Sequence, residues 1–201
     1  CDCTDIDEKL EELGIPYTGA GSETSRNCFD KLLTKQAFVA AGVPTPKSEV
    51  VPHGQRPTLP CPCVLKPPCE GSSVGVEIVH EQAEMDAALE RDDRFPGPLL
   101  VEEYIKGKEL TVAILDGTAL PVVHICPRQG FYDYRNKYPS MTGAVGSDYI
   151  CPADLTEEET KAVQEAALAA YRALHVEVYG RVDVLLIPVG GVFTIDAGQA
   201  A

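Results

Sequence analysis

The segment Lys66-Pro67-Pro68-Cys69-Glu70-Gly71-Ser72-Ser73-Val74-Gly75-Val76 runs from a strand-end lysine through a loop of small residues straight into a second β run. Gly71 and Gly75 let backbone amides come close to a ligand, and Ser72 and Ser73 add hydroxyl donors. Such a loop can cradle phosphates while the ammonium of Lys66 neutralises them. A P-loop is excluded, because no helix and no terminal Gly-Lys-Ser/Thr follows. Taken alone, a glycine-rich hairpin is more often a plain turn.

Short apolar runs flank this segment and predict strands over 64–65, 74–79, 99–104, 110–115 and 119–125. A helix over about 81–90 turns Met85, Ala88 and Leu89 inward. Residues 131–150 are polar, aromatic and irregular, and a stretch of that length without regular structure is usually a functional loop. Thr156-Glu157-Glu158-Glu159 reads as a capping box opening a helix that reaches residue 174, with Val163, Ala167, Ala170, Tyr171 and Leu174 buried. Strands over 181–187 and 192–197 follow, joined through Pro188 and Gly190-Gly191. On the amino-terminal side, helices are expected over 5–13 and 29–41, the second stopped by Gly42, Pro44 and Pro46, with a loop over 55–62.

Two groups of carboxylates stand out. In Leu99-Leu100-Val101-Glu102-Glu103-Tyr104-Ile105 and Glu109-Leu110-Thr111, a strand-end carboxylate can accept from a ribose or an adenine amino group, while Tyr104 and Ile105 supply apolar walls. The plain alternative is solvated edge charge, and it is the preferred reading for Glu103. In Gly180-Arg181-Val182-Asp183 and Thr194-Ile195-Asp196, two carboxylates sit on adjacent strands, with Arg181 on the face of Asp183. Hard cations take oxygen ligands, so the pair can hold magnesium against ATP phosphates; an Arg–Asp surface pair is the alternative.

A formal net charge of -14 over 201 residues opposes binding to a nucleic-acid backbone, which needs clustered cations. A small anionic ligand remains compatible with a few inward-pointing cations. No apolar run approaches the roughly 20 residues that cross a bilayer, and the first residues lack the pattern of a signal peptide, so no membrane partner and a cytoplasmic location are expected. The eight cysteines are scattered, as in a reducing compartment, and are read as small hydrophobic filler rather than metal ligands.

The order Asp30-Lys31, Lys66-Pro67, Glu70 to Gly75, Glu102-Glu103-Tyr104-Ile105-Lys106-Gly107, Glu109-Leu110-Thr111-Val112, Phe131-Tyr132-Asp133-Tyr134-Arg135-Asn136-Lys137-Tyr138, Tyr149-Ile150-Cys151-Pro152-Ala153 and Arg181-Val182-Asp183 resembles the D-alanine–D-alanine ligase family nearly end to end. The resemblance implies an ATP-grasp fold, with nucleotide held between two α+β lobes. By the same likeness Lys31 and Lys66 lie on the phosphates, Glu102 and Ile105 at the adenine, and Glu109 at the ribose. Lys137 would reach the γ-phosphate from the 131–150 loop, Ser72 and Tyr138 would help close the substrate site, and Arg181 would steady an oxyanion. Asp183 and Asp196 would hold Mg2+ or Mn2+. The implied reaction joins two D-alanines through an acyl phosphate, for peptidoglycan synthesis; D-lactate or D-serine as acceptor, or a degenerate nucleotide-binding module, are the alternatives. A homodimer is among the states the likeness allows.

Three departures from the family pattern stand beside it. The α/β domain that precedes the Leu13 to Gly19 segment in family members is almost entirely missing. The last metal motif, usually Glu-x-Asn, reads Asp196-Ala197-Gly198 here, and the Pro-Gly substrate loop does not follow. The expected organisation is a remnant of an amino-terminal domain with a linking helix over 1–62, a small lobe over 63–125 and a large lobe over 126–201.

Overall fold

A computed structural model describes residues 3–91, 97–188 and 191–198. In chain order the elements are α1 (Cys3–Glu12), α2 (Ser22–Phe29), α3 (Lys31–Ala41), β1 (Ser48–Val51), β2 (Cys63–Lys66), β3 (Glu77–Val79), α4 (Gln82–Leu89), β4 (Leu99–Glu103), β5 (Lys108–Leu115), β6 (Thr118–Ala119), β7 (Val123–Pro127), α5 (Tyr134–Lys137), α6 (Pro139–Thr142), β8 (Ser147–Ile150), α7 (Glu157–Ala173), β9 (Tyr179–Leu186) and β10 (Val192–Gly198). They divide into two compact units. One comprises Cys1–Thr45, Gly107–Ile125 and Tyr149–Ala201, and the other Pro46–Lys106 and Cys126–Asp148.

In the first unit β5 pairs antiparallel with β9, and β9 with β10. The burial of β5 alternates, with Leu110, Val112 and Ile114 inside, as a strand with one covered face demands. Helix α7 covers that face: Val163, Ala167, Ala170, Tyr171 and Leu174 join the β5 residues, Val182, Val184 and Phe38 in one apolar cluster. Its amino terminus is a complete capping box. The Thr156 hydroxyl oxygen accepts from the Glu159 N–H at 3.2 Å, and the Glu159 carboxylate accepts from the Thr156 N–H at 2.9 Å.

The second unit is built on a four-stranded antiparallel sheet in the order β1-β4-β2-β3. Val51, Cys63, Leu65, Val79, Leu99 and Val101 form its inner face with Met85 and Ala88 of α4. Burial pushes the Cys63 thiol up to about 12, so it stays an uncharged apolar filler, as its position in the sheet requires.

Several expectations need correction. The helix expected over 29–41 is α3 and begins at Lys31, because the Asp30 carboxylate accepts from the Leu32 N–H at 2.8 Å and caps it there; Phe29 ends α2, a helix that was not anticipated. Residues 74–76 belong to a turn rather than to a strand, because Ser72, Ser73 and Gly75 all adopt left-handed backbone conformations, with φ of 54°, 60° and 72°. The strand expected over 119–125 is split into β6 and β7. The 131–150 segment is not irregular: it holds α5, α6 and β8. The sequential lobes over 63–125 and 126–201 also give way, because β5 pairs with β9 and not with β4, which assigns Gly107–Ile125 to the first unit. Strand β1 was not anticipated.

The start of α2 has an unexpected cap. Gly21 has no side chain to offer, and the Glu11 carboxylate of α1 instead accepts from the Ser22 N–H at 2.8 Å, the Ser22 hydroxyl at 2.7 Å and the Tyr17 hydroxyl at 2.7 Å. Those donors, the Ser22 amide first, hold the Glu11 carboxyl below its ordinary value, while the same bond pushes the Tyr17 phenol up to about 12.

Two predictions follow from the caps. Thr156→Ala removes the α7 cap and should lower stability by about 1 kcal/mol, whereas Thr156→Ser should hold it within a few tenths; chemical denaturation measures both. A depressed carboxyl contributes stability above the ordinary carboxylate range that is lost as pH falls through its folded value. The Ser22 amide resonance should therefore titrate below the ordinary glutamate range, and Glu11→Gln should abolish that titration.

Candidate functional site

Lys66 ends β2 and Glu102 lies on β4. The register sets Lys66 opposite Leu100, two residues from Glu102, so the two side chains are diagonal neighbours on one face. The Lys66 ammonium donates to the Glu102 carboxylate, which is only 2% exposed. A carboxylate that deep keeps its charge only with a cation beside it. Ile105 is half-buried just beyond β4, and Tyr104 meets His80 edge-on with ring centroids 5.8 Å apart. Glu103, partly exposed at the end of β4, accepts from the Lys47 N–H at 2.9 Å through its carboxylate.

The glycine-serine loop and the loop after β7 meet through their side chains. Ser72 and Tyr138 hydroxyls are 2.9 Å apart. Lys137 donates to the Ser73 hydroxyl at 2.9 Å, and its ammonium sits 4.7 Å from the centre of the Tyr132 ring. Ser73 in turn donates to the Tyr132 carbonyl at 3.3 Å. The left-handed serines thus turn both hydroxyls toward Lys137 and Tyr138, and Ser72, Lys137 and Tyr138 are three of the residues expected at the site. Ser73 was read from the sequence only as a hydroxyl donor of the loop, and Tyr132 only as part of the aromatic motif; neither was expected beside Lys137.

The first unit assembles a different group. Thr111 and Asp183 are direct cross-strand partners, and the Thr111 hydroxyl donates to Asp183 Oδ1 at 2.7 Å. Arg181 Nη2 donates to Asp183 Oδ2 at 3.1 Å, so the arginine and the carboxylate do share a face. Asp183 is buried while Arg181 is 45% exposed, which leaves the guanidinium able to reach a further anion. On β10, Asp196 is the register partner of Asp183 and Gly198 that of Arg181. The side chain of Asp196 lies outside the described ones, and among the described residues no three His, Cys, Asp or Glu side chains group as a metal centre. Buried, hydroxyl-bonded carboxylate oxygen of the kind Asp183 presents is chemically suited to a hard cation.

Glu109, near the start of β5, lies opposite Ile125 and Leu185 and is half-buried. Lys31 opens α3 and is half-buried. Sequence reading missed Lys35, which is buried on α3 with its ammonium 2.6 Å from the Thr45 hydroxyl; Thr45 donates onward to the Thr194 carbonyl at 3.0 Å. A lysine inside an otherwise apolar helix stripe was its only signal. Separately, the second unit has a cavity of about 210 Å³ lined by His53, Arg56, Asp86 and Arg91 among others. None of the residues expected at the site lines it.

The family described as "D-ala D-ala ligase C-terminus" matches residues 36–197. A D-alanine–D-alanine ligase of Methylacidiphilum infernorum is 46% identical over 181 residues, spanning 90% of this chain and 58% of that protein. Another from Bordetella pertussis is 42% identical over 186 residues, again 58% of its length. The chain thus spans about three fifths of the curated relatives it matches. Among solved structures, the Bacillus anthracis D-alanine–D-alanine ligase complexed with ATP superimposes with a TM-score of 0.78 at 28% identity, covering 96% of this chain and 62% of that one. The VanG D-Ala:D-Ser ligase of Enterococcus faecalis gives 0.80 at 28% identity, covering 98% and 60%. With a family match that runs from within α3 to the last strand, taking in the glycine-serine loop, the lysine loop and Asp183, the chain belongs to the D-alanine–D-alanine ligase family and carries its ATP-grasp region.

Proposed function

We propose that this chain is the nucleotide-binding part of an ATP-dependent ligase that joins two D-alanines. The observation that carries the proposal is the meeting of Lys137 and Tyr138 with Ser73 and Ser72, which sets a cation and three hydroxyls at one small-residue loop. In this reading Lys66 and Lys31 contact phosphates, Glu102 and Ile105 the adenine, and Glu109 the ribose. The γ-phosphoryl group passes to the carboxylate of the first D-alanine and ADP leaves. The amine of the second D-alanine then attacks the acyl carbon, loses a proton, and expels phosphate. Lys137 offsets charge on the γ-phosphate, Arg181 stabilises the tetrahedral oxyanion, and Ser72 with Tyr138 closes the substrate side. Little covalent chemistry falls to the protein, so positioning and charge stabilisation carry the rate.

Asp183 and Asp196 would hold Mg2+ or Mn2+, which neutralises phosphate charge when bound. The opposed register of their backbones and the buried oxygens of Asp183 support this assignment, and Gly198, opposite Arg181, offers no side-chain oxygen where the family has asparagine. D-serine as acceptor is a second reading, favoured by a likeness to the D-Ala:D-Ser ligase as high as to the D-alanine ligase. The mass of the product formed when D-alanine and D-serine compete separates the two. A cytoplasmic location fits this chemistry, and among the described residues no helix is long and apolar enough to cross a membrane.

Lys66→Ala should weaken ATP binding about tenfold to a hundredfold, since a charge-assisted contact is worth about 1.5–3 kcal/mol. Because that change also strands the Glu102 carboxylate, Lys66→Arg, which keeps a cation beside Glu102, is the matched control, and calorimetry should find it binding ATP more tightly than Lys66→Ala. Lys137→Ala should instead lower turnover well beyond its effect on ATP affinity, measured as phosphate release with D-alanine; equal losses in both would place Lys137 in ground-state binding.

A further inference from the structure

Asn136 is the residue before Lys137, and nothing in the chemistry above uses it. Its side chain is nonetheless buried, at 6% exposure, on a helix of a single turn. A carboxamide withdrawn from water must place its two N–H groups on acceptors, or each lost bond costs about 1–3 kcal/mol. Both are placed: Nδ2 donates to the Gln129 carbonyl at 2.7 Å and to the Phe131 carbonyl at 2.8 Å. Those carbonyls belong to the chain entering the loop. The Asn136 backbone N–H is held as well, by the Asp133 carboxylate at 2.8 Å.

We propose that Asn136 is a positioning residue for phosphoryl transfer, fixing the turn from which Lys137 and Tyr138 project. A four-residue helix has too few internal bonds to persist alone. Here α5 is tied backward by Asn136 and capped by Asp133, and the neck of the loop is closed where the Arg128 guanidinium straddles the Asp148 carboxylate at 2.6–3.2 Å and the Arg128 N–H donates to the Gly146 carbonyl at 3.1 Å. That exposed ion pair adds little stability by itself. The Asn136 carboxamide, out of water, supplies the rigid part. With it in place, the direction of the Lys137 side chain is set before any ligand arrives, and the lysine rests on Ser73 and Tyr132.

The inference rests on the proposed ligase activity for its kinetic arm and stands apart from it in its structural arm. Asn136→Asp keeps the shape, removes both donors and faces an anion to two carbonyl oxygens; Asn136→Ala removes the donors without the charge. In ligand-free protein, amide hydrogen exchange over 134–138 should rise at least tenfold in both variants, while exchange in α7 and the four-stranded sheet stays unchanged. In the ligase assay kcat should fall about tenfold or more with the KM for ATP within about twofold, and in a Lys137→Ala background the same changes should cost markedly less, because the larger part of what Asn136 does passes through that lysine and only the placing of Tyr138 remains. Unchanged exchange over 134–138 overturns the proposal whether or not the protein ligates. A kcat loss that persists in full without Lys137, or no loss at all in an active protein, also overturns it. Absence of any ligase activity in the unmodified protein overturns the functional reading alone, and the exchange result then decides on Asn136.

Discussion

A buried carboxylate needs a cation, and the Lys66–Glu102 pair meets that need across two neighbouring strands. Removing either partner from such a pair typically costs about 3–5 kcal/mol, because the other charge is left in a medium that cannot solvate it. The pair joins β2 to β4 beside the apolar contacts of Leu65 and Val101. Lys66 leads directly into the loop whose two serines take left-handed conformations, and those serines meet Tyr138 and Lys137.

The first unit applies the same constraint to Asp183. Its carboxylate is buried and bonded on one oxygen by a neutral hydroxyl and on the other by a partly exposed guanidinium. A hydroxyl can rotate away and an arginine on the surface can swing, so neither partner commits the carboxylate permanently. Such an arrangement keeps the ion in the fold at modest cost.

Much of this was legible in the sequence, for identifiable reasons. The capping box at Thr156 and the stripe of Val163, Ala167, Ala170 and Tyr171 are local signals with a 3.6-residue period, and both appear as read. The pairing of β9 with β10 followed from a glycine-containing connection. The partition into units did not, because the decisive contact is between β5 and β9, more than sixty positions apart, and hydrophobic periodicity is blind to partners at that separation. Helix α2 was hidden because Ser22 to Asn27 is polar and offers no apolar stripe, and its end against α3 is marked only by the cap at Asp30. Residues 131–150 read as irregular because their order comes from single polar side chains, Asp133, Asn136 and Arg128, rather than from a repeating apolar pattern. Lysines and carboxylates carrying the family motif were found by likeness; Thr111, Ser73 and Tyr132, which orient them, are ordinary residues until the fold places them.

The most direct test is a map of backbone resonance shifts on titration with a non-hydrolysable ATP analogue in the presence of magnesium. If the account is right, the largest shifts fall on Lys66, the 71–75 loop, 102–105, 137–138 and the strand residues around Asp183. Shifts confined to the cavity lined by His53, Arg56, Asp86 and Arg91, or no shifts in a well-folded chain, would contradict it.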